Sequence, residues 1–255
     1  MLLQPAGCAH HHTVIRHLLA FTIPALAIAA EPPVPDGERA QMLAGFTENI
    51  GKLDAALKAN AEAVPLYSKR GDAHLFLGHF AEAVADFQKM IALDPAQDAP
   101  HWRLGVAYYF TGAFEKSAKQ FVKYHDYDGG DRENGIWKFL GDAKSLGLEP
   151  ARRRMLTYTR FDREPFPALY AMLAGEKSGD EVFAEMKTKD LTGNTTVMFF
   201  ANYYAGLNEE MLGHREKAVA LLRHAVALGW KNRRSSEPSY MWQVARLHFE
   251  KLAAE

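Results

Sequence analysis

The chain has 255 residues, of which 48% are hydrophobic and 24% are charged, and its formal net charge is −1. These values are ordinary for a globular protein, and they exclude a chain dominated by disorder or by one sign of charge. The near-neutral charge provides no electrostatic basis for binding nucleic acid or an anionic membrane surface. We therefore expect neither of them as a partner.

The first 30 residues have the three parts of a secretory signal peptide. Arg16 precedes the short apolar run LLAFTIPALAIAA (18–30), in which Ala27-Ile28-Ala29 supplies the small residues of a processing site. A polar, proline-rich linker follows at residues 31–37. We therefore predict that residues 1–30 are removed during export to the periplasm or cell envelope of a bacterium, which would leave no stable membrane anchor. Retention of the run as a short anchor is the alternative.

Residues 64–97 and 98–131 repeat one another with an offset of 34 residues. The coinciding positions are glycines and phenylalanines, namely Gly71 and Gly105, Gly78 and Gly112, Phe80 and Phe114, and Phe87 and Phe121. Small residues allow two antiparallel helices to approach closely, large residues fill the space between pairs, and a turn glycine adopts a positive φ at little cost. This pattern resembles the tetratricopeptide repeat (TPR), which has a 34-residue period and implies one helix pair per copy.

Weaker copies of the same pattern follow along the chain. Trp137, Leu140 and Gly141 repeat the W-x-x-L-G signature in a third copy, 134–158, whose second helix is degenerate. A fourth copy occupies residues 199–232. The resemblance implies that such pairs stack on their neighbours and that the terminal units are atypical.

The predicted fold class is therefore all-α, a right-handed α-solenoid of TPR helix pairs over residues 38–255. The parts outside the four repeats are a degenerate pair or cap at 38–63, an irregular helical insertion at 159–194, and a terminal helix at 238–254 that would cover the last repeat. No sustained strand alternation is present, which agrees with a fold built from helices alone.

Two groups of polar residues resemble metal sites but depart from the required spacing. His74 and His79 are five residues apart, whereas ligands on one helical face are three or four apart. In HDYDGGDRE (125–133), the alternating oxygen ligands of a calcium loop stop after Asp128. We interpret this stretch as an inter-repeat loop in which Asp131 caps the next helix. We therefore predict no metal site and no cofactor.

The sequence also lacks the common catalytic motifs, with no G-x-S-x-G, H-E-x-x-H or P-loop pattern. We therefore predict no catalytic residue and expect that the chain is not an enzyme. Two short basic clusters remain, Arg152 to Arg154 and Lys231 with Arg233 and Arg234. We interpret both as solvated helix faces, and binding of an acidic partner segment or phosphate is the alternative.

The TPR resemblance implies that the first helix of each pair lines a concave groove. The positions that match the groove are Ser68, Asp72, Leu75 and Phe76 in the first copy, Trp102, Val106, Tyr109 and Phe110 in the second, and Tyr203, Leu207, Glu210 and Met211 in the fourth. An aromatic groove would bind an extended or helical apolar peptide. Alternatively, the chain's own segment 156–194 or its C-terminal helix fills the groove, which would move partner binding to an edge or a dimer face.

The order of parts is similar to that of NlpI-type bacterial envelope TPR proteins. The resemblance implies an adaptor that brings peptidoglycan-remodelling enzymes to a protease, often as a homodimer. This chain departs from the family because its only cysteine, Cys8, precedes the apolar run instead of following it.

We therefore expect an exported scaffold that binds a protein or peptide partner. The alternative is an enzyme accessory or hydrolase with a site in residues 156–194. Carboxylates for such a site are available there at Asp162, Glu164, Glu176, Asp180 and Glu181.

Overall fold

A computed structural model describes residues 32–160, 162–231 and 239–255 of the protein, so the predicted signal peptide lies outside the described residues. The α-helices in these ranges are α1 (Asp36–Ala59), α2 (Val64–Phe76), α3 (Phe80–Leu93), α4 (Trp102–Phe110), α5 (Phe114–Tyr127), α6 (Arg132–Leu146), α7 (Leu148–Arg153), α8 (Phe166–Ala174), α9 (Gly179–Thr188), α10 (Thr195–Met211), α11 (Arg215–Lys231) and α12 (Tyr240–Ala254). This part of the chain contains no β-strand, which confirms the predicted all-α class. None of its helices is long and apolar enough to cross a membrane.

Three helical hairpins, α2/α3, α4/α5 and α10/α11, share one turn geometry. Each turn has three residues, and its central residue is a glycine with φ between 79° and 82°: Gly78, Gly112 and Gly213. A side chain would be strained in this left-handed conformation, so glycine ends the first helix and reverses the chain. Consecutive hairpins stack side by side, as expected for a helical solenoid.

The repeated glycines within the helices mark the points of closest approach inside each hairpin. A Cβ atom on Gly71 would lie 2.5 Å from the ring of Phe87, and one on Gly105 would lie 2.6 Å from the ring of Phe121. The repeat spacing therefore reports packing, because each large aromatic residue requires a position without a side chain on the helix it faces. Phe87 also contacts the next hairpin, with its ring centroid 4.7 Å from that of His101.

The third copy departs from this regularity. Its first helix, α6, has 15 residues and begins after Asp131, whose carboxylate accepts a hydrogen bond from the Glu133 backbone N–H. Its second helix, α7, has only 6 residues, whereas α3 and α5 each have 14. Residues 155–159 then run without helical structure, and the next helix begins at Phe166.

The segment predicted as an irregular insertion contains a further short hairpin, α8/α9. Pro165 precedes α8, and Pro167 occupies its first turn, where a missing N–H removes no helical hydrogen bond. Gly175 ends α8 with φ of 85°, and Ser178 begins α9 with a capping box. The prolines therefore position a regular helix instead of breaking one.

The two ends of the described chain pack differently on the solenoid. Residues 38–63, predicted as a degenerate pair or cap, form the single helix α1 and a short turn, and only Leu53 and Leu57 of α1 are buried. In α12, every residue from Trp242 to Phe249 is buried. This helix packs on α11 and also contacts α2, α4, α6 and α10, which are the first helices of their repeats.

Candidate functional site

The concave groove formed by α2, α4, α6 and α10 holds the chain's own helix α12. At one end of the groove, the ring of Tyr240 lies against two predicted groove residues, with centroid distances of 4.9 Å to Phe76 and 4.7 Å to Trp102. Both pairs meet edge to face, the arrangement that aromatic quadrupoles favour. The aromatic residues at this end therefore bind the beginning of α12.

At the other end of the groove, His248 of α12 is enclosed by aromatic side chains. Its ring centroid lies 5.5 Å from that of Tyr109 and 4.5 Å from that of Phe110, and its Nδ1 forms a 2.7 Å hydrogen bond with the Tyr203 hydroxyl. Burial lowers the pKa of His248 to about 3, since a protonated imidazole would lose its hydration without gaining an anionic partner. The histidine is therefore neutral near neutral pH, and it acts as a packing residue.

The polar groove residues are committed to contacts within the protein. Arg103 of α4 donates to the Asp72 carboxylate at 2.5 Å and to the Ser68 hydroxyl at 2.8 Å, which ties α4 to α2. Burial raises the pKa of Asp72 to about 6, although the Arg103 guanidinium opposes the shift. Glu210 forms a 2.6 Å ion pair with Lys144 of α6.

A buried guanidinium also holds α12 in the groove. Arg246 is 2% exposed, and its Nη2 donates to the carbonyl oxygen of Phe76 at the end of α2. Its other nitrogens donate to Gln243 at 3.0 Å and to Glu250 at 2.8 Å. Glu250 in turn accepts a 2.7 Å hydrogen bond from Arg39, which joins α1 to the same network.

Five of the twelve predicted groove residues have ring contacts with α12: Phe76, Trp102, Tyr109, Phe110 and Tyr203. Leu75, Val106 and Leu207 are buried in the main core, and Met211 packs against its edge. Five large apolar side chains of α12 are buried as well, Trp242, Val244, Leu247, Phe249 and Leu252. At about 1.5–3 kcal/mol for each buried side chain, removing α12 would cost on the order of 10 kcal/mol. This cost is comparable to the whole stability of a typical domain, so α12 belongs to the folded core.

An open cavity lies where the third copy is degenerate, between α7 and α8. We call it the α7–α8 cleft. Its volume is about 410 Å³, and it is lined by Arg132, Arg152, Met155, Leu156, Thr157, Tyr158, Pro167, Tyr170, Ala171, Ala174 and Glu176. Most of the lining is apolar or aromatic, and the charged residues are two arginines and one glutamate. The exposed atoms of the cleft are about equally polar and apolar, so its surface offers both kinds of contact to a ligand.

One wall of the cleft is fixed by aromatic contacts. The Tyr158 ring meets the Tyr170 ring edge to face at 5.2 Å, and the Tyr170 hydroxyl donates a 2.7 Å hydrogen bond to the Leu156 carbonyl oxygen. The Tyr158 hydroxyl lies so close to Gly135 of α6 that a Cβ there would be 2.4 Å away. The guanidinium carbon of Arg132 lies 5.2 Å from the centre of the Tyr158 ring, within the range of a cation–π contact.

A buried carboxylate, Glu133, connects this region to the core. Its two oxygens accept hydrogen bonds from the Tyr204 hydroxyl and from Arg163 Nη2, both at 2.6 Å. Burial raises the pKa of Glu133 to about 7, and these two bonds only partly oppose the effect of burial. Tyr204 also accepts a 3.1 Å hydrogen bond from the Trp137 indole N–H. The sequence places Glu133 only at the end of the predicted inter-repeat stretch 125–133, and it carries no signal of this burial.

Of the five carboxylates considered for an enzymatic site in residues 156–194, only Glu176 and Glu181 line a common cavity, and Glu181 is bonded there to Ser178. Their contacts are separate: Asp162 with Arg163, Glu164 with Lys189, Glu181 with Ser178, Asp180 at 3.8 Å from Lys217, and Glu176 exposed at the edge of the cleft. A pair of carboxylates for general acid–base chemistry would have to face one substrate. This arrangement therefore does not favour the hydrolase alternative.

The two resemblances to metal sites have structural explanations. The Nδ1 atoms of His74 and His79 are 3.5 Å apart on the exposed surface. Asp128 accepts a hydrogen bond from the Gly130 backbone N–H, and Asp131 caps α6, as predicted for an inter-repeat loop. In the described ranges, no group of three or more histidine, cysteine, aspartate or glutamate residues could hold a metal ion.

Comparison with known proteins identifies one repeat in the chain. The family model described as a tetratricopeptide repeat matches residues 64–97, which contain α2 and α3. Among solved structures, the chain is similar to a tetratricopeptide repeat protein from Parabacteroides merdae ATCC 43184, with 12% sequence identity and a TM-score of 0.49. The similarity covers 86% of this chain and 80% of that protein.

Proposed function

We propose that the protein is an exported scaffold that binds a protein or peptide partner in the bacterial cell envelope. The tetratricopeptide repeat at residues 64–97 supports the binding role, because TPR helix pairs generally mediate contacts between proteins. The signal-like segment 1–30 supports export. Within this proposal, the resemblance to NlpI-type proteins suggests an adaptor that brings envelope enzymes together.

The occupied groove is the observation that decides where a partner would bind. Because α12 is buried in the concave groove from Trp242 to Phe249, a partner peptide would have to displace part of the core to enter it. The α7–α8 cleft requires no such displacement, and its exposed Thr157 and Glu176 lie beside apolar lining residues. We therefore propose the α7–α8 cleft and its rim as the partner-binding surface.

Export is tested by cell fractionation of the full chain and of a variant that lacks residues 1–30. We expect the full chain in the envelope fraction and the shortened variant in the cytoplasm. Equal distribution of the two would refute the export part of the proposal. A full chain that keeps its N-terminal residues in the envelope would favour retention of the apolar run as an anchor.

The binding surface is tested by placing a photo-cross-linking amino acid at Thr157 or at Ala220, which is exposed on α11 outside the cleft. We expect a specific adduct from position 157 and none from position 220. The same adducts from both positions, or none from position 157 in the native envelope, would contradict the proposed surface. An adduct with twice the mass of the chain would identify a second copy as the partner.

A further inference from the structure

We infer that the α7–α8 cleft binds an organic carboxylate through Arg132. The cleft exists because α7 ends at Arg153 after 6 residues, whereas the equivalent helices α3 and α5 continue for 14. The missing turns leave a space beside α8 that the non-helical residues 155–159 only partly cover. The cavity is therefore part of the folded chain, and its lining residues have fixed positions.

The charge of Arg132 is not compensated within the described part of the protein. Its guanidinium has no hydrogen bond or ion pair there, and its Nη1 atom is buried without an acceptor. The nearby carboxylates of Asp131, Glu133 and Asp162 all contact Arg163 instead. A buried guanidinium N–H without an acceptor is unfavourable, so an anion that enters the cleft gains the full benefit of pairing with it.

The guanidinium is also held in place before any ligand binds. The Tyr158 ring beneath it is fixed against Gly135 and Tyr170, as described above. Such preorganisation increases affinity because little conformational freedom is lost on binding. Across the cleft, Arg152 adds a second positive charge, although it already donates to Glu149 and to the Leu173 carbonyl oxygen.

The lining selects the chemistry of the anion. A planar guanidinium matches a carboxylate with two parallel hydrogen bonds. With Arg132, Arg152 and Glu176 as its charged residues, the lining has a formal charge of only +1, which suits a monoanion better than a phosphate dianion. Met155, Leu156, Pro167, Ala171 and Ala174 supply apolar surface for the rest of the ligand. The site therefore fits a carboxyl group attached to an apolar body.

Two sources share this chemistry, the carboxyl terminus of a peptide that ends in an apolar residue and a free aliphatic acid. Only the peptide source rests on the proposed function. Calorimetric titration of the full protein compares its affinity for N-acetyl-alanyl-leucine, which represents a peptide carboxyl terminus, with its affinity for octanoate, which represents a free aliphatic acid. The ligand that binds more tightly identifies the source. The C-terminal amide of the same dipeptide is the matched control, and we expect at least tenfold weaker binding of the amide than of the free acid.

The variants test Arg132 itself. We expect Arg132→Gln to weaken carboxylate binding at least tenfold, and Arg132→Lys to weaken it less. The control is Arg153→Gln, at an exposed position outside the cleft lining, which should change the affinity less than twofold. The melting temperature of ligand-free Arg132→Gln should stay close to that of the wild type, because the lost cation–π contact with Tyr158 is offset by removal of a buried guanidinium N–H that has no acceptor. Equal binding of acid and amide, unchanged binding by Arg132→Gln, or no binding of either acid would overturn the inference. If the protein binds a carboxylate but position 157 gives no cross-link to a partner, the proposed function is wrong and the inference about Arg132 stands.

Discussion

Replacing Glu133 with glutamine should increase the stability of the protein at neutral and alkaline pH, but much less at acidic pH. Glu133 is buried between Tyr204 and Arg163, and its pKa in the folded state is about 7. An unfolded glutamate has a pKa near 4.5, so between pH 4.5 and 7 the folded state binds more protons than the unfolded state. Stability must therefore fall as the pH rises through this window.

The magnitude follows from the two pKa values. The difference between about 7 and 4.5 corresponds to about 3 kcal/mol of unfolding free energy, lost progressively as Glu133 ionises. Glutamine has nearly the same shape and carries no charge, so Glu133→Gln should avoid this loss. It keeps an acceptor for the Tyr204 hydroxyl, and Arg163 retains Asp131 and Asp162 as partners.

The assay is urea unfolding of wild type and Glu133→Gln at several pH values from 5 to 8. We expect the stability of the variant relative to wild type to increase by about 2–3 kcal/mol across this range. The control is Glu176→Gln, which removes the same charge at the exposed edge of the cleft. A difference for Glu133→Gln that stays constant from pH 5 to 8 would refute the argument from burial.

Three further predictions concern packing and charge. Gly71→Ala should destabilise the protein by about 1–3 kcal/mol, because the added Cβ would lie 2.5 Å from the Phe87 ring. The control is Gly45→Ala on α1, where the added Cβ has nothing within 4 Å; it should stabilise the protein by up to about 1 kcal/mol in the same denaturant titration. Arg246→Ala should cost about 3 kcal/mol, because it removes three hydrogen bonds of about 1 kcal/mol each, to Phe76, Gln243 and the partly buried Glu250. Lys251→Ala, exposed on the same helix, should stay within about 0.5 kcal/mol. Equal melting temperatures of the two variants would show that Arg246 does not hold α12. In the Glu133→Gln background, the melting temperature should fall as the pH drops from 6.5 to 4. Burial lowers the pKa values of His101 and His248 to about 3, so in this range only the unfolded chain takes up protons at these two residues. A melting temperature that does not change with pH would contradict the burial of the two histidines as neutral groups.

The repeat spacing predicts the local hairpins because it reflects contacts between neighbouring helices. Gly78 and Gly112 recur 34 residues apart since each hairpin needs the same left-handed turn, and Gly71 and Gly105 recur because each faces a phenylalanine ring. These constraints act over a few tens of residues, and they leave a periodic record in the sequence. For this reason, the sequence predicts the all-α fold class.

The position of α12 in the groove leaves no periodic pattern in the sequence. The apolar residues of segment 238–254 predict a buried helix, but both the last repeat and the concave groove offer it an apolar surface. The structure uses both, through contacts such as Tyr240 with Trp102 that join residues 138 positions apart. The sequence also does not predict that Glu133 is buried or that the Arg132 Nη1 atom lacks an acceptor among the described residues. Both features depend on contacts between residues that are far apart in the sequence, such as the hydrogen bond from Tyr204 to Glu133.

The occupied groove and the degenerate repeat together change where binding is expected. Trp102, Tyr109 and Phe110 would be the natural contacts for a partner in an open solenoid, but here they pack against Tyr240 and His248. A helix buried from Trp242 to Phe249 makes the concave face part of the main core, and this removes the surface that an open solenoid would offer to a partner. In the third repeat, the second helix has only 6 residues, and the cleft beside it is lined by Arg132, whose buried Nη1 atom has no acceptor among the described residues. The departure from the repeat pattern is therefore more informative about binding than the repeats themselves, because it opens a cleft that the chain itself does not fill.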